Sequence, residues 1–170
     1  YDYILLKKAY GSADKVICVS EYLADSIEKL GFEFKRQIIG NVVDTDVFCG
    51  NGSKCFKDDN INIVFVGSMG NDEVKGVNYL LKAFSLLVRD HKNVKLHLVG
   101  DGQKRKEYEE LSVSLGIDDK CRFYGKLSKS NVALILRSCS FFVLPSKYET
   151  FGTVIIEALA CGKPVVTTDT

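Results

Sequence analysis

The chain has 170 residues, and its 23 Lys and Arg against 22 Asp and Glu leave a formal net charge of +1. That balance excludes the one-signed basic footprint of a nucleic-acid-binding protein. At 46% hydrophobic and 26% charged residues the composition suits a globular protein with one core and room for an appendage, short of a complete two-domain enzyme, and no run approaches the ~20 apolar residues that cross a bilayer.

Strand patterns at residues 15–19 and 36–39 flank a helix opened by Ser20-Glu21. The stretch Gly40-Asn-Val-Val-Asp-Thr-Asp-Val-Phe48 and the polar run 49–60 carry turn formers and charge without any period, and read as a boundary. A fresh series of strands then begins at 62–66, 94–99, 121–124, 140–144 and 164–167. Helices are predicted between them. Over 75–89 the residues Val77, Leu80, Leu81, Phe84, Leu87 and Val88 form one apolar stripe. Over 103–115 a charged helix keeps Tyr108, Leu111 and Leu115 as a thin inner face and stops at Gly116. Ser128 caps a helix over 128–137, and Gly152 opens another. The alternation predicts an α/β protein with a Rossmann-like, doubly wound parallel sheet and helices on both faces. Because the last strand stops three residues from the end, we expect a fragment of a longer protein, truncated at both ends.

The six cysteines, Cys18, Cys49, Cys55, Cys121, Cys139 and Cys161, form no Cys-x2-Cys pair, and His91 and His97 are the two imidazoles. This spacing argues against structural zinc. Cys49 and Cys55 could pair across the intervening loop, but reduced thiols in a cytoplasmic setting are the expectation.

The most informative stretch is Glu149-Thr-Phe-Gly-Thr-Val-Ile-Ile-Glu157, placed after the apolar strand that Pro145 ends. Singly, a Gly before a helix or a Glu in its first turns is ordinary. Together, two carboxylates bracket a glycine at a helix start, where unpaired N–H groups and the dipole favour phosphate. Gly152 lets the backbone approach that anion, and Glu157 could accept paired hydrogen bonds from a vicinal diol such as a ribose. A second constellation is Gly67-Ser68 after strand 62–66, followed by Lys75-Gly76 at the mouth of a long helix, where a lysine could reach a diphosphate. Two more strand ends carry glycine turns, Gly100-Asp-Gly102 and Gly125-Lys126-Leu127.

The run from Glu149 to Glu157 resembles the Glu-x7-Glu signature of retaining glycosyltransferases of the GT-B fold, the family 4 or group 1 type. The other segments resemble that family's loops, in the family's order. Resemblance implies that this chain is the nucleotide-sugar donor half of such an enzyme, transferring a hexosyl group from a nucleotide-diphosphate sugar with retention. It assigns Lys75 and Glu149 as catalytic: Lys75 on the leaving diphosphate and Glu149 on the sugar hydroxyls. It further assigns Glu157 to the ribose, the N–H groups of Gly152, Thr153 and Val154 to phosphate, and Gly67, Ser68, Gly100, Gly125, Lys126, Leu127 and Phe151 to the rest of the donor site. Ser68 stands where the family has an arginine, so one of two positive charges is absent. The segment at Asn41, Val43 and Asp44 resembles the strap between domains. Residues 1–45 are therefore expected to be the tail of an acceptor domain with that strap, 46–60 a linker, and 61–170 the donor domain. The family uses no metal or other cofactor. Its acceptor, a glycan or glycolipid, would meet the absent N-terminal domain, and peripheral contact of the parent with the inner face of a membrane is left open. The fragment alone should bind donor but hardly turn over. Two alternatives stand beside this reading: a GT-B nucleotide-sugar epimerase, for which no His near the sugar is found, and a non-catalytic relative that binds a nucleotide sugar or a partner.

Overall fold

The computed structural model describes residues 2–70 and 73–169. The chain divides into two compact units, one running to Val42 and including Thr150–Thr153, the other comprising Val43–Glu149 and the residues from Val154 onward.

In the first unit, α1 (Asp2–Ser12), β1 (Val16–Cys18), α2 (Glu21–Lys29) and β2 (Arg36–Ile38) follow in order. The two strands pair in parallel, Val16 opposite Arg36. Ser20 caps α2 by accepting from the Leu23 N–H at 3.2 Å. Phe32 is buried between the rings of Tyr3 and Tyr10, at 4.9 and 5.1 Å. On the surface, Arg36 gathers Glu21, Asp25 and Glu28 at 3.4, 2.6 and 3.6 Å, and the Asp25 hydrogen bond raises the guanidinium further above its ordinary range. The sequence reading proposed no element at α1. Its Tyr3, Ile4, Leu5 and Leu6 run consecutively instead of at helical spacing, and all four are exposed.

The second unit is a five-stranded sheet of β3 (Ile61–Val66), β4 (Val94–Val99), β5 (Cys121–Gly125), β6 (Phe141–Leu144) and β7 (Val165–Thr167), in the order β5-β4-β3-β6-β7 and wholly parallel. The helices α3 (Val77–Asp90), α4 (Arg105–Ser114), α5 (Lys129–Ser138) and α6 (Thr153–Ala160) connect the strands, with a short 3-10 turn at Asp118–Lys120. The chain steps outward from β3 to β5 and then returns to add β6 and β7 on the other side. Right-handed crossovers therefore put α3 and α4 on one face and α5 and α6 on the other. This is the expected doubly wound sheet, and β3 is buried from Asn62 to Phe65 because both of its faces are covered. The stripe predicted on α3 is the core face, with Val77, Leu80, Leu81 and Phe84 buried. Among the described residues all six cysteines are free thiols, and no helix is long and apolar enough to cross a membrane.

Two polar residues lie inside this sheet, Asn62 on β3 and His97 on β4. The Asn62 amide nitrogen donates to Asp58 Oδ1 at 3.1 Å and to the Asn60 carbonyl at 2.9 Å, so its Oδ1 is the acceptor facing His97 Nε2 at 2.7 Å. The ring therefore carries its proton on Nε2, and Nδ1 accepts from the Tyr124 hydroxyl at 2.9 Å. Phe56 stacks on the ring at 4.1 Å. Burial pushes His97 down from 6.5 to about 4, so it folds neutral. Between those two values the unfolded chain binds more protons than the folded one.

Stability should consequently fall as pH drops from about 6.5 towards 4, by about 3 kcal/mol at most from this residue, and His97→Phe should flatten that part of a thermal-unfolding pH profile. Gly76 has φ +67, and a Cβ there would overlap the Pro145 carbonyl oxygen at the end of β6. Gly76→Ala is expected to cost at least about 2 kcal/mol in denaturant unfolding, from left-handed strain plus displaced backbone.

Candidate active site

In a parallel sheet whose order reverses, the loops leaving the carboxyl ends of the two strands at the reversal diverge and leave a crevice. Here those strands are β3 and β6, so the loop carrying Gly67, Ser68 and Lys75 opens opposite the loop carrying Ser146 and Glu149. The loops are tied where they leave the sheet. The Lys147 N–H donates to the Val74 carbonyl at 2.7 Å, and Gly76 lies against the Pro145 carbonyl. This closeness lets Lys75 Nζ reach Glu149 Oε2 at 2.6 Å. The lysine and carboxylate side chains are only 26% and 19% exposed. The Ser146 hydroxyl donates to the same Oε2 at 3.3 Å.

On its other side the β3 loop is laced to the loop after β4. Gly67 N–H donates to the Val99 carbonyl at 3.0 Å, Met69 N–H to Asp101 at 2.9 Å, and Lys104 N–H to the Met69 carbonyl at 2.9 Å. At Gly100 φ is +137, and a Cβ would overlap the Gly67 carbonyl oxygen, so only glycine permits this approach. Lys104 Nζ also holds Glu73 at 2.9 Å and keeps that carboxyl below its ordinary range. Asn71 and Asp72 of this loop lie outside the described residues.

The register between β4 and β5 shifts at Leu98/Val99, and Gly100 N–H donates to the Gly125 carbonyl at 2.9 Å. The shift turns Gly125, Lys126 and Leu127 towards the β3 end. The result is a cavity of ≈ 360 Å³ lined by Val66, Gly67, Ser68, Val99, Gly100, Asp101, Lys126, Leu127 and Val132. Lys126 and the Ser68 hydroxyl sit among apolar walls, which suits a planar ring with polar edges. Gly67 connects this cavity with the ion pair, since a Cβ there would stand 3.5 Å from Lys75 Cγ.

The structure therefore brings together Gly67, Ser68, Gly100, Lys126 and Leu127 around one cavity, with Gly125 buried beside it and Lys75 and Glu149 joined next to it. Val154 and Glu157 lie one turn apart on α6. Among the described residues, the Glu157 carboxylate makes no hydrogen bond or ion pair, and burial raises it above the ordinary range while Lys129 opposes the rise. Phe151, Gly152 and Thr153 belong to the first unit. There Asn41 Nδ2 donates to Thr153 Oγ1 at 3.0 Å, the Ser20 hydroxyl donates to the Thr150 carbonyl at 2.7 Å, and the Phe151 ring faces Gly40. The sequence reading missed Ser146, whose one signal was a hydroxyl just beyond the proline that ends a buried strand, and Lys104, which sits in a charged helix start like many surface lysines.

The profile of the group 1 glycosyl transferases matches residues 52–170. An uncharacterized glycosyltransferase of Methanocaldococcus jannaschii is 33% identical over 162 residues, covering 95% of this chain and 42% of that protein. The lipopolysaccharide core biosynthesis glycosyltransferase LpsE of Rhizobium meliloti is 30% identical over 173 residues, covering 98% of this chain and 47% of that protein. Among solved structures, sucrose-phosphate synthase from Thermosynechococcus elongatus superposes with a TM-score of 0.83 at 24% identity, over 96% of this chain and 43% of its own. Anabaena HepE, solved with UDP and glucose, gives 0.81 at 23% identity, over 97% and 47%. At these identities the structural likeness establishes the fold, that of the GT-B glycosyltransferases. The chain thus spans less than half the length of each of these four proteins. Matched by the family's profile over most of its length and folded as its relatives are, the chain belongs to the group 1 glycosyl transferases.

Proposed function

We propose that this chain is the donor-binding part of a glycosyltransferase that moves a hexosyl group from a nucleotide-diphosphate sugar to an acceptor with retention of configuration. The observation that carries the reading is the junction of a ring-sized cavity with a cation and a carboxylate at the one crevice the strand order creates. Anabaena HepE, which shares the fold, is described with UDP and glucose, and that supports the same ligand class here. Residues 1–45 then act as the tail and strap of an acceptor domain, 46–60 as a linker and 61–170 as the donor part. The acceptor, a glycan or glycolipid, meets the remainder of the parent protein.

In this reading the base enters the cavity beside Gly67, Gly100, Lys126 and Leu127. Glu157, a half-buried carboxylate without a protein partner among the described residues, accepts from the ribose hydroxyls. The diphosphate meets Lys75 and the amides of the first turn of α6 from Val154 onward. Glu149 accepts from a sugar hydroxyl. As the anomeric C–O bond breaks, its electron pair stays on the diphosphate oxygen, and the acceptor oxygen bonds the same face of the sugar while its proton passes to that leaving diphosphate. The Lys75 ammonium and the helix amides stabilise the growing phosphate charge, a task that needs no metal when protein donors fill it. Ser68 contributes a hydrogen bond there but no charge.

Calorimetric titration in EDTA with UDP, GDP and ADP and their sugar conjugates tests this. One nucleotide should bind saturably. Glu157→Ala should weaken the nucleoside diphosphate and its sugar conjugate alike, by about tenfold, whereas Glu149→Ala should weaken the conjugate alone. Equal losses from both changes would sink the assignment. Lys75→Ala should weaken both ligands, and the deficit should shrink as salt is raised.

A further inference from the structure

Resting on that reading of the donor site, one neighbouring residue acquires a role. Ser146 is 1% exposed, yet it is polar and stands directly after Pro145, the first residue beyond β6. Its backbone is fastened on both sides. The Ser146 carbonyl accepts from the Thr168 hydroxyl beyond β7, and the next amide, Lys147 N–H, donates to Val74 across the crevice. The hydroxyl is the freedom left to it, and that hydroxyl points to Glu149.

The pattern on Glu149 is one-sided. Lys75 and Ser146 both converge on Oε2, and among the described residues no donor reaches Oε1. A carboxylate with one oxygen fixed by two donors is held in rotation about its terminal torsion, which is otherwise broad. We propose that Ser146 is a positioning residue for sugar recognition: with Lys75 it anchors Oε2 of Glu149 so that Oε1 is the oxygen presented to a hydroxyl of the donor sugar. Lys75 need not leave the carboxylate to meet the diphosphate. An ammonium has three protons, and one suffices for Oε2. Ser146 and Lys75 thereby set the distance between the atom that reads the sugar and the atoms that hold its leaving group. At 3.3 Å the hydroxyl contact is longer than a strong hydroxyl–carboxylate bond, so the effect is several-fold and not abolition.

The test is a double-mutant cycle on the full-length protein, titrating the nucleoside diphosphate that wild type binds and its sugar conjugate into S146A, E149A and S146A/E149A. S146A should bind the nucleoside diphosphate as wild type does and lose about three- to tenfold for the conjugate. It should cost nothing further in the E149A background. Equal loss for both ligands, or an undiminished loss in the E149A background, overturns the proposal and leaves Ser146 with a packing role only. S146C keeps the size and weakens the donor, and gives the same readout if S146A does not fold. If wild type binds none of UDP, GDP and ADP, the donor-site reading itself falls and this inference falls with it, an outcome separate from failure of the cycle.

Discussion

The crevice between the loops of β3 and β6 depends on the absence of a side chain at one position. Gly76 lets the start of α3 lie on the carbonyl of Pro145, and that contact draws the loops of β3 and β6 together across the reversal in strand order. Parallel sheets generally leave a crevice at such a point, but the width of the crevice depends on the chain. Here it is narrow enough for a lysine on one wall to meet a carboxylate on the other, and for a backbone amide beside that carboxylate to bond back across. The two walls behave as one piece of backbone, although 74 residues separate Lys75 from Glu149.

The charges are arranged in compensated groups. Lys104 is engaged by Glu73 and Glu107, Arg105 by Asp101 and Glu109, and Lys75 by Glu149. Most of these pairs are surface features of small energetic weight. The Lys75–Glu149 pair is, like Lys104–Glu73, mostly removed from solvent, and it differs in joining the two loops that flank the reversal in strand order. Glu157 differs in the opposite way, being half-buried with no protein cation bonded to it among the described residues.

Element type was readable where the period was strong. The buried strands show as short apolar runs, and the α3 stripe at i, i+3, i+4 and i+7 marks the residues that pack against the sheet. Residues 2–12 were not readable, because four adjacent large side chains specify no face. Of the site, the glycines and the two glutamates were visible from spacing, since turns and helix starts constrain nearby residues. The Glu73–Lys104 pair and the hydrogen-bonded row through His97 were invisible because each joins segments distant in sequence, and Ser146, only three residues from Glu149, because its type is also that of an ordinary surface residue. Only burial separates a serine that orients a carboxylate from one that faces water.

The hydrogen-bonded row inside the sheet has a direction: Tyr124 donates to His97, His97 to Asn62, and Asn62 to Asp58 and the Asn60 carbonyl. Asn62, like His97, both accepts and donates through different atoms of a single group. Spontaneous hydrolysis of that amide, as in the chemical ageing of asparagine, would turn its donor end into a second carboxylate oxygen facing Asp58. Two acceptors would then confront each other within the covered part of the sheet, with Lys95, already bonded to Asp58 at 2.6 Å, as the neighbouring cation. The row thus depends on the integrity of one side-chain amide, that of Asn62, buried within β3.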